Sequence, residues 1–290
     1  MIFPQLVANS LIAGSIVALV VAGFSLIYTT NRFAHFAHGG VVVVAGYILY
    51  SFSSLLHWPF WLSAILTLVT SSLLGWLLFF TIYLRLLRRR ASSVILLIAS
   101  LAILILLENL LLVFFGASVK SLSVLPVQKG IEILGAIVTP LQISIIGTSI
   151  LLFFGLFLFS KYSHLGKVMR AVSDNQELAK ISGIAIERVQ GASFIIGSAL
   201  AGVAGILIAL EQSLSPTMGT NLIIKGFTGA VIGGSTSLAG SILGSYVLGL
   251  VENFGIWFLP SAWKNAIAFA VLLLFLLLRP EGILGVRRRM

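Results

Sequence analysis

The chain has 290 residues, 59% of them hydrophobic and 9% charged, with a formal net charge of +10. A soluble domain carries about a quarter charged residues, so this composition excludes an ordinary water-soluble fold and makes lipid the solvent. Cysteine is absent, which excludes disulfides, thiolate catalysis and thiolate metal sites. No basic stretch is interleaved with base-stacking aromatics, so nucleic acid is not an expected partner.

A spanning helix needs about 20 mostly apolar residues. The first such run covers 6–28 and stops at Thr29, Thr30, Asn31 and Arg32. No Lys or Arg precedes it, so it lacks the charged start of a cleavable signal and reads as a retained span. The second run covers 35–54, where adjacent Gly39 and Gly40 predict a broken or unwound helix entry. A turn at His57, Trp58 and Pro59 leads into a third run at 61–84, closed by Arg85, Arg88, Arg89 and Arg90. The fourth covers 92–115, and a loop at 116–139 carries Lys120, Pro126, Lys129 and Glu132. The fifth covers 140–160, followed by the most polar stretch of the chain, 161–188. A sixth run at 189–211 precedes a loop with Pro216, a short glycine-rich apolar segment at 222–234, and two more runs at 238–254 and 264–278. The expected fold is all-α: a polytopic transmembrane helical bundle with eight long spans plus one short or re-entrant segment, forming a single domain over 1–290.

Basic residues orient this bundle. Arg85, Arg88, Arg89 and Arg90 form one cluster; Lys161, Lys167, Arg170, Lys180 and Arg188 a second; Arg279, Arg287, Arg288 and Arg289 a third. Short loops rich in Lys and Arg stay in the cytoplasm. All three clusters share that side only if 222–234 crosses, which puts the N-terminus outside and the C-terminus in the cytoplasm.

Small residues recur four apart at Gly14, Ala18, Ala22, at Gly197, Ala201, Gly205, and at Ser241, Ser245, Gly249. Such ridges let helix backbones approach closely in lipid, and packing is their expected role. The denser group Gly226, Gly229, Gly233 and Gly234 suggests unwound or re-entrant backbone lining a cavity. Glu108 sits deep in the fourth span, where a carboxylate faces protein or water. It serves either a solute path or a helix contact, with Lys225 and Lys264 as conceivable partners. Glu211 and Glu252, near span ends, read as helix ties. His35 and His38 lack a third ligand nearby, which leaves no metal site to expect. The sole Gly-Lys pair, Gly166-Lys167, is followed by Val168, so the chain has no phosphate loop and no ATPase site of that kind. It reads as a transport subunit, not an enzyme, and no cofactor is expected on it.

Within 161–188, Asp174 with Glu177 three residues on has capping-box spacing. Leu178, Ala179 and Ile181 follow, and Gly183 fits a helix stop. A short helix is expected at 175–182, with a further helical turn or two at 166–173.

The string Gly166, Lys167, Arg170, Ala171, Asn175, Ala179, Gly183, Ile184 resembles the coupling loop of bacterial branched-chain amino acid ABC transporter permeases of the LivH type. Phe36-Ala37-His38-Gly39 is similar to that family's early motif. So is the glycine-rich region Phe227-Thr228, Val231-Ile232-Gly233-Gly234, Ser237, Gly240 and Gly244, and the ending Pro280, Gly282-Ile283-Leu284-Gly285. Departures are His35 where the family usually has Asn, Gly40 and Thr236 where Glu and Gly are frequent, and Ala239 for a frequent Pro. The resemblance implies a permease of the bacterial inner membrane moving branched-chain or other amino acids. It further implies a second homologous permease, two cytoplasmic ATPases that use ATP, and an extracytoplasmic solute-binding protein. It makes Gly166, Lys167, Arg170, Ala171, Asp174, Asn175, Glu177, Leu178, Ala179 and Gly183 the ATPase-coupling residues. Candidate path residues are Phe36, His38, Gly39, Glu108, Gly229, Gly233 and Gly234. Alternatives are a urea or short-amide ABC permease and an ion-coupled secondary transporter.

Overall fold

The computed structural model describes residues 2–122, 129–279 and 281–285, so Pro126, Pro280, Arg287, Arg288 and Arg289 fall outside it. Twelve α-helices follow one another among the described residues: α1 (Ile2–Asn31), α2 (Ala37–Tyr50), α3 (Phe60–Leu78), α4 (Leu84–Arg88), α5 (Ser93–Phe115), α6 (Pro140–Tyr162), α7 (His164–Asp174), α8 (Gln176–Ile181), α9 (Ile186–Glu211), α10 (Met218–Gly233), α11 (Leu238–Gly255) and α12 (Lys264–Leu278). Wider π-helical turns at Ser51–Leu55 and Phe79–Tyr83 extend α2 and join α3 to α4. The chain is a polytopic helical membrane bundle. Seven helical runs are long and apolar enough to span, and α10 with α11 forms a further pair bent by 115°.

Burial sorts the helices into a centre and a ring. The span of α1 is 83% buried and that of α9 72%, against 17% for α6 and 6% for α12. The central helices carry the small residues. A Cβ on Gly197 of α9 would lie 2.8 Å from Ile27 and 3.0 Å from the Gly23 carbonyl of α1. One on Gly249 of α11 would lie 2.7 Å from the Ser10 carbonyl of α1. The three small-residue ridges read from the sequence are buried throughout. The ring turns Val113, Phe114, Leu151, Leu273 and Leu277 outward, as lipid requires.

Three local expectations are corrected. The break before α2 lies at Arg32, whose φ is +64°, and not at Gly39 and Gly40. Both glycines are helical, and Gly39 packs on Gly219 and Ile223 of α10, which leaves no room for a Cβ. The segment expected at 222–234 is a regular helix from Met218, not unwound backbone. It ends at Gly234, whose φ of +104° is open to glycine but strained for other residues. Ser237 then caps α11 by accepting from the Gly240 N–H at 3.1 Å. The 116–139 loop holds a hairpin, β1 (Ile131–Ile133) with β2 (Ala136–Val138), in register Ile131 to Val138 and Ile133 to Ala136. Leu134 and Gly135 turn it with φ of +51° and +82°, the geometry of a two-residue type I′ turn.

The bundle has two distinct ends. At one, the Gln5 side chain of α1 meets the hairpin at Ile137, accepting its N–H at 2.8 Å. Gln142 at the start of α6 donates to Glu211 at the end of α9 at 2.9 Å. At the other end, Arg88 of α4 pairs with Glu187 at the start of α9 at 2.8 Å. There the α7–α8 hairpin, the turn between α10 and α11, and residues 282–285 gather. Of the three basic clusters, every described member lies at this second end.

Candidate functional site

α7 begins where Ser163 accepts the Gly166 N–H at 2.9 Å. Its buried face is Gly166, Met169 and Val172, the three-residue spacing of one helix stripe. A Cβ on Gly166 would run into the Phe159 carbonyl and lie 2.7 Å from Ser160 Cα, so none fits there. Lys167, Arg170, Ala171 and Asp174 face outward.

Asn175 both closes α7 and starts α8. Its backbone is extended at φ −146°, and its side chain accepts from the Glu177 and Leu178 N–H groups at 3.0 and 3.1 Å. The expected cap at Asp174 is therefore displaced by one residue, because a cap must leave helical geometry and Asp174 remains inside α7. Gly183, with φ +81°, ends α8 as expected. Its N–H and that of Ile184 donate back to the Lys180 and Ala179 carbonyls at 3.1 and 3.0 Å, a Schellman-type closure.

Ala179 is buried with Met169, Val172 and Val189. Leu178 and Ile181 are 61% and 83% exposed. They are two exposed apolar side chains on a six-residue helix, outside the span-forming helices and among basic loops. The sequence reading placed both on the expected helix but counted only Leu178 among the coupling residues. It also missed Gln176, whose Nε2 donates to the Thr30 carbonyl at the end of α1 at 2.8 Å. Thr30 in turn donates to Ser193 of α9 at 2.8 Å, and Asn31 donates to the same hydroxyl at 2.9 Å. The hairpin is thus hydrogen-bonded to the end of α1, and α1 to α9. No periodicity marks these contacts, since their partners lie more than a hundred residues apart.

Between α1 and α2 the chain runs back into the bundle through buried Phe33 and His35. The His35 Nδ1 and Tyr83 hydroxyl lie 2.9 Å apart. The π-helical turn at Phe79–Tyr83 lets Phe79 and Tyr83 both reach Phe194, with ring centroids 5.2 and 5.1 Å away. His38 is fully buried, its ring filling the space over Gly23. Neither of its ring nitrogens has a hydrogen-bond partner among the described residues.

The candidate path residues separate into groups. Phe36, half-buried, packs its ring at a tilt against Phe227 of α10, centroids 5.5 Å apart. Gly39 and Glu108 meet the first turn of the same helix. Glu108 accepts the Thr220 N–H at 2.8 Å and its hydroxyl at 3.0 and 3.1 Å. It supplies from α5 the acceptor that the start of α10 needs. Gly229 and Gly233 lie apart from this group, packed on Ser245, Gly240 and Gly244 of α11. Gly234 packs on Gly285 and the Glu281 carbonyl. His38 faces Gly23 of α1 instead. A further carboxylate, Glu252, pairs with Lys225 at 2.9 Å and ties α11 to α10. Lys264 donates to Asn253, not to a carboxylate.

Residues 6–276 match the family model for the permease component of branched-chain amino acid transport systems. The high-affinity branched-chain amino acid transport system permease protein BraD of Pseudomonas aeruginosa is 32% identical over 98% of this chain and 96% of its own length. LivH of Escherichia coli K12, similarly named, is 30% identical over the same shares. The probable branched-chain amino acid transport permease LivH of Methanocaldococcus jannaschii is 29% identical over 97% of this chain and 92% of its own. With nearly its whole length matched, the chain belongs to the branched-chain amino acid transport system permease family.

Proposed function

We propose that the chain is a transmembrane subunit of an ATP-driven importer for branched-chain or related amino acids in the bacterial inner membrane. Two separate cytoplasmic ATPases bind and hydrolyse the ATP. A second homologous permease completes the core, and an extracytoplasmic binding protein delivers the solute. The carrying observation is the α7–α8 hairpin. It offers Leu178 and Ile181 to a partner at the end where the basic clusters collect, and Gln176 bonds it to α1. The positive-inside rule makes that end cytoplasmic. Closure of the ATPases moves α8, α8 moves the end of α1, and the break at 32–36 lets α2 and α10 follow. ATP drives the cycle by binding the two access states with different free energies.

Co-purification with the cognate ATPase subunits tests the reading. Leu178→Asp with Ile181→Asp is expected to abolish co-purification and uptake while the helical bundle stays folded. ATPase binding unchanged in that double variant overturns the docking assignment. Ala179→Asp is the poorer probe, since Ala179 packs inside the hairpin and its loss disrupts α8 itself. The cysteine-free sequence makes orientation directly measurable. A single cysteine at position 181 is expected to react with an impermeant maleimide only in inside-out vesicles, and one at position 134 only in right-side-out cells.

A further inference from the structure

A cleft of about 240 Å³ lies at the same end as the hairpin, between the last turns of α1 and α6, helix α7, and the turn from α10 to α11. Drug-sized sites begin near about 300 Å³, so this one admits only a small molecule. Its walls combine three chemistries. Arg170 of α7 lines it, with no hydrogen bond or ion pair to it among the described residues. Thr29 and Ser160 mark the C-terminal turns of α1 and α6, where backbone carbonyls carry partial negative charge. Leu26, Leu156 and Leu238 supply apolar surface.

A guanidinium matches a carboxylate, helix C-terminal turns match an ammonium, and the leucines match a short aliphatic group. A phosphate or simple anion uses only the first of these. We infer that this cleft binds a free zwitterionic amino acid with an aliphatic side chain, the transported solute once it has reached the cytoplasm. The identity of that solute and the side of the membrane rest on the importer reading. The ligand bridges α7 to the turn between α10 and α11. It therefore favours one position of the hairpin by mass action as solute accumulates, and acts as a product brake on the cycle.

The test is equilibrium binding of radiolabelled leucine to the full chain in nanodiscs of zwitterionic lipid. Saturable binding is expected, about tenfold weaker in Arg170→Gln and lost in Thr236→Trp, which fills the cleft. Leucinol lacks the carboxylate and 4-methylpentanoate lacks the ammonium, so neither should compete at equimolar concentration. Binding that survives both substitutions lies elsewhere and overturns the proposal. So does equal competition by 4-methylpentanoate, or displacement by phosphatidylglycerol nanodiscs, which marks a lipid headgroup site. If Thr236→Trp fails to elute as folded protein, Arg170→Gln decides alone. Leucine uptake by the assembled transporter with no binding here refutes the inner site and leaves the importer standing. A transporter that moves no amino acid refutes the importer reading itself.

Discussion

Replacing Glu108 by Leu removes the acceptor at the start of α10 and leaves the Thr220 N–H without its partner. An N–H left unsatisfied where water is excluded costs about 1–3 kcal/mol, and losing a carboxylate at a helix N-terminus costs up to about 2 kcal/mol more. The Thr220 hydroxyl can turn to a backbone carbonyl and adds little. Removing a buried charge returns part of its desolvation cost, so the net loss is about 2–4 kcal/mol. Glu108→Gln keeps an acceptor of the same shape and loses chiefly the charge–dipole part, about 1 kcal/mol. At about 2 °C per kcal/mol for a chain of this size, the midpoint falls by about 4–8 °C for Leu and about 2 °C for Gln. Thermal unfolding of the detergent-solubilised protein, beside uptake in proteoliposomes, measures both consequences. Equal losses for the two variants refute the capping argument. So does a wild-type midpoint in both with uptake abolished, which makes Glu108 a solute-handling carboxylate.

The Lys225–Glu252 pair is nearly buried, so Lys225→Met should cost about 3–5 kcal/mol by stranding the carboxylate, while Lys225→Met with Glu252→Leu should be close to neutral. Unfolding midpoints of the two variants check this. Gln176→Leu breaks the bond to Thr30 and is expected to leave ATPase binding and hydrolysis intact while uptake falls, read as solute moved per ATP hydrolysed. Gly23→Ala sets a methyl 2.6 Å from His38 Cε1 and 2.7 Å from the Gly197 carbonyl. This overpacking should cost about 1–3 kcal/mol and lower the midpoint, with Gly23→Leu failing to fold.

The long spans were legible because their signal is composition over twenty residues, which no tertiary contact overrides in lipid. Small-residue ridges were legible for the same reason, and Gly183 because only one local geometry suits it. What lay hidden was set by contacts distant in sequence. Glu108 gave no sign of its partner, since Thr220 is on another helix and α10 begins earlier than its apolar run suggests. The break before α2 was assigned to Gly39 and Gly40, although those glycines serve close approach and Arg32 takes the left-handed backbone. The cap of α8 was misplaced by one residue because Asp174 and Asn175 are both good caps, and only the φ of Asn175 decides between them. The hairpin at 131–138 has strands too short for an alternating pattern.

Residues near the end of the chain complete a helix made much earlier. The Ile283 N–H donates to the Ile232 carbonyl at 2.8 Å, and the Leu284 N–H to the Gly233 carbonyl at 2.9 Å, satisfying groups that a helix terminus otherwise leaves open. During synthesis α10 therefore reaches the bilayer with its last carbonyls unmet, and stays so until Leu284 leaves the ribosome. A clone shortened before that residue should insert its spans yet yield a bundle whose α10–α11 joint stays unlatched.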